Sequence, residues 1–163
     1  MGNSLLKRKQ LRGTDDLSTP KEAVDILCQF VKPQSFWEIA YGKGLLAKHL
    51  TNRGFQIIGK STDFFKDNPT CLMITNPPFS LKDKFLERCY ELKKPFALLL
   101  PITALEGIKR QSLYKKYGLQ IIFLPKRIDF TGKKAPWFAV AWFTHKLNLP
   151  KDIMFGVPKL SYK

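Results

Sequence analysis

The residues best suited to chemistry stand in one stretch, Leu72-Met73-Ile74-Thr75-Asn76-Pro77-Pro78-Phe79-Ser80, an apolar run of strand length ending in a double proline. The side-chain oxygen of Asn76 is a hydrogen-bond acceptor. The carbonyl of Pro77 is a second, because successive prolines fix φ and donate no N–H, which leaves a stiff turn with free carbonyls. Pro78 completes that turn, and Phe79 adds an aromatic face. These groups suit the exocyclic amine of a flat heterocycle, a poor nucleophile whose lone pair is delocalised into the ring. Acceptors around its N–H groups draw the nitrogen towards tetrahedral geometry and stabilise charge that develops during attack. An extruded base could stack on Phe79. The plain alternative is a loop, since Asn-Pro initiates turns and a double proline stops strands. Position favours the catalytic reading, because open α/β sheets bind ligands at the carboxyl ends of their strands.

Composition bounds the partners. The 163 residues suit one domain with a substantial core. An apolar fraction of 44% and 13 phenylalanines argue against a disordered chain. No apolar run is long enough to span a bilayer, and Met1 to Arg12 has no apolar signal region, so a cytoplasmic protein is expected. Cys28, Cys71 and Cys89 are widely spaced and read as buried thiols in a reducing compartment. His49 and His145 are isolated, and no metal-ligand spacing occurs. The 28 Lys+Arg against 13 Asp+Glu give a net charge of +15, which points to a polyanionic partner, above all nucleic acid. A generally basic, soluble surface is the alternative.

The elements that must position the stretch follow from pattern. Residues 1–17 form a polar, basic arm that could touch phosphates. Ser18 or Thr19 is expected to cap a helix with Pro20 in its first turn, apolar at Ala23, Ile26, Leu27, Phe30 and Val31 and ended by Pro33. Ser35 to Ala40 reads as a strand, Tyr41-Gly42-Lys43-Gly44 as a glycine loop and Leu45 to Asn52 as a helix, the opening of a nucleotide-type α/β unit. Gly42 and Gly44 would let the backbone approach a ligand closely, and the helix N-terminus would face an anionic group. A tight turn with no ligand is the alternative.

The second strand, Gly54 to Lys60, lacks the acidic residue that normally closes it and holds ribose hydroxyls; Asp63 follows and could serve instead. About ten residues then remain before Cys71, too few for a crossover helix plus a strand, so a helix and an edge strand are expected to be reduced to a turn. Ser80 is expected to cap a helix with apolar Leu81, Phe85, Leu86, Cys89 and Leu92 and a solvated charged face. Pro95 to Leu100 reads as a strand buried on both faces. Helical segments around Thr103 to Lys109 and Gln111 to Tyr117 follow, then strands Gly118 to Leu124 and Ala135 to Thr144, the latter expected to be the last. Between these strands Lys126, Arg127, Phe130, Lys133 and Lys134 form a basic loop beside Asn76 that could grip phosphates, or a plain solvated connection. Part of the lysine-rich tail is expected to fold back onto the domain.

In their order, Thr19-Pro20, Phe36-Trp37-Glu38-Ile39-Ala40-Tyr41-Gly42-Lys43-Gly44, Asp63-Phe64-Phe65 and Ile74 to Ser80 resemble short, phage-type N6-adenine methyltransferases. Asn76 to Asp83, Lys94 to Pro101 and Lys126-Arg127-Ile128 look like a compact phage-encoded subgroup. The resemblance covers residues 18 to 155 and rests mainly on Asn76-Pro77-Pro78-Phe79. It implies an α/β, Rossmann-like S-adenosylmethionine-dependent methyltransferase sheet flanked by helices and shortened after the second strand. It further implies methylation of adenine N6 in DNA, in a host cytoplasm if the chain is phage-encoded. Asn76, Pro77, Pro78 and Phe79 would handle the target amine, with Thr19, Pro20, Glu38, Ala40, Gly42, Gly44, Asp63 and Phe64 around the donor. The chain departs from the family in lacking both the ribose-binding acid and a separate target-recognition domain. Two other functions fit these residues: a catalytically degenerate nucleic-acid-binding protein on the same scaffold, and an amino-methyltransferase of RNA or free nucleotides.

Overall fold

The computed structural model describes residues 19–130 and 139–159. Its elements are helix α1 (Lys21–Leu27), strand β1 (Ser35–Glu38), helix α2 (Leu45–Thr51), strands β2 (Gln56–Lys60) and β3 (Leu72–Thr75), helix α3 (Lys82–Glu91), strand β4 (Phe96–Pro101), helix α4 (Ile108–Tyr117), and strands β5 (Gln120–Phe123), β6 (Val140–His145) and β7 (Ile153–Phe155). Short 3-10 turns, Phe79–Leu81 and Ile102–Leu105, lead into α3 and follow β4. The strands form one seven-stranded sheet in the order β2-β1-β3-β4-β6-β5-β7. Strands β2, β1, β3 and β4 run parallel, β6 is antiparallel to both β4 and β5, and β7 is parallel to β5.

Alternation along the strands gives the sheet two covered faces. Leu72 and Ile74 of β3, Ala97 and Leu99 of β4, and Val140 and Trp142 of β6 join one apolar cluster with Ala23, Val24 and Leu27 of α1 and Leu46 and Leu50 of α2. Their neighbours Met73, Phe96, Leu98, Leu100, Ala141 and Phe143 turn the other way, against Phe85, Leu86, Cys89 and Tyr90 of α3. The expectation that the strand at Pro95 to Leu100 is apolar on both faces therefore holds, since its alternate residues meet apolar layers on opposite sides of the sheet. The buried Trp142 indole N–H donates to the Ala23 carbonyl at 2.8 Å and ties α1 to the sheet.

The shortened connection is also as expected. Residues 61–71 contain neither helix nor strand. They are closed by backbone bonds from Lys66 and Asp67 to the Asp63 carbonyl. Their fastening comes from α3: Arg88 Nη2 donates to the Asp67 carbonyl at 3.0 Å and to Asn68 Oδ1 at 3.2 Å, and Phe64 stacks on Phe85 with centroids 5.1 Å apart.

Several local expectations are corrected. The N-cap of α1 is Pro20 and no side chain caps it, so the proline, with φ already suited to a helix start, takes the place expected for Thr19; Ser18 lies outside the described residues. Helix α1 ends at Leu27, well before Pro33, and continues only as turns. At α3 the cap position falls to Leu81, because the 3-10 turn from Phe79 carries the chain past Ser80. The charged residues of α3 are not simply solvated, since Arg88 holds the loop and Asp83 accepts from Arg110 at 2.8 Å. Strand β6 is not the last, because the tail returns as β7, and the Gln29 side-chain amide fixes the Val157 backbone by donating to its carbonyl and accepting from its N–H. Cys89 is buried, whereas Cys28 and Cys71 are only partly so; all are free thiols. The basic arm at 1–17, together with Lys133 and Lys134, lies outside the described residues.

Candidate active site

Because β1, β2 and β3 are parallel, the segments that follow them emerge at one edge of the sheet. A cavity of about 340 Å³ opens there. It is lined by Ala40, Tyr41, Gly42 and Lys43 after β1, by Ser61 to Phe65 after β2, and by Asn76 and Pro78 after β3. Thr19, Leu46, Leu81 and Phe85 complete much of the wall. Of the residues expected around a donor, Thr19, Ala40, Gly42, Asp63 and Phe64 line this space. Pro20, Glu38 and Gly44 do not line it, nor do Pro77 and Phe79 of the turn. Pro77 is buried, and Phe79 packs against the cluster on the α1 side of the sheet.

The two loop glycines differ in their reasons. Gly42 has φ +52, and a Cβ there would meet nothing nearer than the Ala40 carbonyl at 4.0 Å, so its α-carbon faces open space. Gly44 has φ +76 and sits under the Tyr41 ring, where an added Cβ would fall 2.5 Å from the phenol oxygen. The aromatic wall of the cavity thus depends on Gly44.

The ending of β2 has a similar packing cause. A Cβ on Gly59 would lie 2.4 Å from the Trp37 ring, so the indole covers the strand at that point. Its N–H donates to Ser61 Oγ at 3.0 Å and holds the start of the lining segment. Lys60, where nucleoside-binding units normally carry an acid, lies over the Tyr41 ring with Nζ 4.5 Å from the centroid, a cation–π contact. Asp63 turns Oδ1 to the Phe65 N–H at 3.1 Å and Oδ2 to Lys66 at 3.6 Å.

Glu38 lies beneath the loop, 1% exposed. Its Oε1 accepts from the Ala40 N–H at 3.1 Å, while among the described residues Oε2 is buried without a partner. Burial pushes its carboxyl up to about 8, against the influence of the Thr75 hydroxyl and the Ala40 N–H, which favour the ionised form. Thr75 also reaches the Ala40 carbonyl at 3.4 Å, so the residue before Asn76 is coupled to the start of the glycine loop.

No described residue of the basic loop lines this cavity; the loop packs on the α1 side of the sheet. Ile128 is buried in the cluster against which Phe79, Tyr41 and Phe130 also pack. Lys126 and Arg127 are exposed. Lys126 lines a second cavity, of about 280 Å³, with Glu22, Asp25, Pro125 and Lys159. Among the described residues no group of three or more His, Cys, Asp or Glu could hold a metal ion, and no helix is long and apolar enough to cross a membrane.

Sequence reasoning missed Tyr41, Lys43, Ser61, Thr62, Phe65 and Phe85 as lining residues. Tyr41 and Lys43 were detectable as neighbours of the glycines. The Trp37–Ser61 bond joins β1 to the segment after β2 and leaves no local pattern.

No family profile matches the sequence, and no curated protein is similar to it. Solved structures are. A candidate class I S-adenosylmethionine-dependent methyltransferase from Listeria monocytogenes matches with TM-score 0.51 and 11% identity over 83% of this chain and 61% of that one. A candidate RNA methyltransferase from Pyrococcus horikoshii gives 0.48 and 12% over 76% and 77%. A release-factor-specific protein-(glutamine-N5) methyltransferase from Alicyclobacillus acidocaldarius gives 0.40 and 12% over 77% and 93%. The likeness is one of fold: the chain has the class I Rossmann-like methyltransferase architecture, with a turn after β2.

Proposed function

We propose that the chain is an S-adenosylmethionine-dependent amino-methyltransferase acting on the N6 amine of adenine in DNA. The observation that carries this reading is a single cavity lined by both the glycine loop and Asn76. Its volume of about 340 Å³ falls in the range of small-molecule sites, ~300–1,000 Å³. The residues suit the donor: Gly42 leaves open space, Tyr41 and Phe64 offer ring surfaces, and Asp63 and Ser61 offer polar atoms. Bound there, S-adenosylmethionine would supply a methyl group on a positively charged sulfur.

The chain's own residues would then prepare the amine. Asn76 Oδ1 and the Pro77 carbonyl accept its N–H groups, localise its lone pair and stabilise the charge that develops as nitrogen attacks. Phe79 holds the base by its face, and the prolines keep the acceptors from relaxing. Lys126 and Arg127, with Lys133 and Lys134 of the same loop, would hold backbone phosphates without reading sequence.

The test is transfer of labelled methyl from S-adenosylmethionine to DNA and, separately, to RNA, followed by identification of the methylated nucleoside. N6-methyladenosine in RNA alone would move the substrate, and methylcytosine would move the base. Asn76→Ala should lower turnover at least a hundredfold while calorimetry shows donor binding within about threefold of wild type, the pattern for a group acting mainly in the transition state. A variant that methylates at the wild-type rate would refute the mechanism.

A second reading is favoured by Lys60. With a cation over Tyr41 at the end of β2 in place of an acid, donor affinity could be lost, leaving a nucleic-acid-binding protein on a methyltransferase scaffold. It predicts salt-sensitive binding, no donor binding at millimolar concentration and no transfer.

A further inference from the structure

We propose that Ile108 is a wedge that enters between base pairs of duplex nucleic acid and holds open the step from which a base is extruded towards Asn76. The proposal rests on the nucleic-acid substrate reading above and extends it to how the substrate is deformed.

Ile108 is 91% exposed, more than any other large hydrophobic side chain among the described residues. It stands at the first position of α4, where a solvated helix start normally carries a polar or acidic residue. Its chain neighbours Glu106, Gly107 and Lys109 are exposed and are charged or lack a side chain, so no adjacent residue in the chain extends its apolar surface.

The turn that presents it is heavily braced. Arg110 Nε donates to the Ala104 carbonyl at 3.1 Å and to the Glu106 carbonyl at 2.7 Å. Gln111 Nε2 donates to the Leu105 carbonyl at 3.0 Å, and the Tyr114 hydroxyl to the Ala104 carbonyl at 2.8 Å. Gly107 has φ +102, and a Cβ there would fall 2.8 Å from Arg110 Nη2, so the guanidinium lies where a side chain would be. An ordinary solvated loop needs none of this.

The same guanidinium reaches the tetrad's helix. Arg110 Nη1 donates to Asp83 Oδ1 at 2.8 Å, in the first turn of α3, directly after the 3-10 turn that contains Phe79. Strands β3 and β4 are parallel, so the turns after Thr75 and after Pro101 leave the sheet at the same edge. Asp83 and Glu87 are paired with Arg110 and Lys109, which lessens their repulsion of phosphates. A rigid mount, an exposed branched apolar tip and a place at the same edge of the sheet as Asn76 suit an intercalating side chain, and isoleucine is among the residues that serve as such wedges.

The experiment compares the wild-type chain with Ile108→Ser, a change at an exposed position that leaves the core intact. Methyl transfer is measured on one unmethylated DNA, native and heat-denatured. Unwinding of closed circular DNA relaxed by topoisomerase is measured alongside. The expected result is at least a tenfold loss of transfer to native DNA, transfer to denatured DNA within about twofold, and reduced unwinding. Equal loss on both DNAs, or no loss on either with unwinding unchanged, overturns the wedge. A wild-type chain that transfers no methyl but unwinds DNA through Ile108 overturns the methyltransferase reading and keeps the wedge. One that neither binds nor unwinds DNA overturns both.

Discussion

A buried carboxyl group with an unpartnered oxygen is costly when ionised, so the fold favours its neutral form. Glu38 is such a group, raised by burial from 4.5 to about 8. Between those values the folded chain holds a proton that the unfolded chain has released. Stability is then greatest below the unfolded value and falls as pH rises through the window, by on the order of a few kcal/mol. Urea midpoints measured at about pH 5 and about pH 8 should fall with rising pH in the wild type, and much less in Glu38→Gln. A wild-type midpoint with no dependence on Glu38 would mean that this carboxyl is ionised in the folded state. The consequence for the site lies in what Glu38 touches. Its Oε1 holds the Ala40 N–H and Thr75 lies alongside, so ionisation acts on the glycine loop and on the residue before Asn76 together.

Among the elements, the decisive one is the connection that has lost its helix. Residues 61–71 supply Ser61, Asp63, Phe64 and Phe65 to the cavity, yet they have no regular structure of their own. Their order is borrowed from α3, through Phe85 and through Arg88, whose bonds to Asp67 and Asn68 replace the hydrogen bonds of the missing helix. Arg88→Met should therefore cost about 1 kcal/mol of stability, the usual net contribution of a hydrogen bond whose acceptors stay partly open to water. Amide exchange should quicken around residues 63–68 and donor affinity should fall several-fold. A drop in global stability with unchanged exchange at that loop would count against this role. The shortening is legible from residue count alone, β3 and β4 from continuous apolar runs, β1 from its place before the glycine loop, and α3 from its helical apolar spacing. The sequence reading takes the charges of α3 for a solvated face, because a lysine or arginine that holds a neighbouring loop has the same spacing as one that faces water. It leaves out β7 as a strand because three residues with exposed Ile153 and Phe155 carry no alternation towards a core; pairing with β5 makes the strand. At the site, glycines, Asp63 and Asn76 were legible as types, whereas Tyr41 over Gly44 and Trp37 over Gly59 are ring placements that only the folded sheet creates.

At the scale of the molecule, charge is distributed to leave cations over. The acids Asp25, Asp63, Asp83, Glu87 and Glu91 all stand in ion pairs, Asp25 with both Arg53 and Lys159. With 28 Lys+Arg against 13 Asp+Glu, the remaining basic side chains set the field at long range. Such a field draws a polyanion by releasing its counterions, so affinity should fall linearly with the logarithm of salt, with a slope of about −0.9 per phosphate neutralised on duplex DNA. The basic loop gives this a local form. If exposed Lys126 and Arg127 each neutralise a phosphate, replacing both with alanine should make the slope shallower by about 1.8 while affecting all DNA sequences alike. Fluorescence-anisotropy titrations between low and physiological salt measure this directly. A slope unchanged in the double variant would remove this loop from the interface. Binding nearly independent of salt in the wild type would go further, and make the surplus of +15 a matter of solubility, not of recognition.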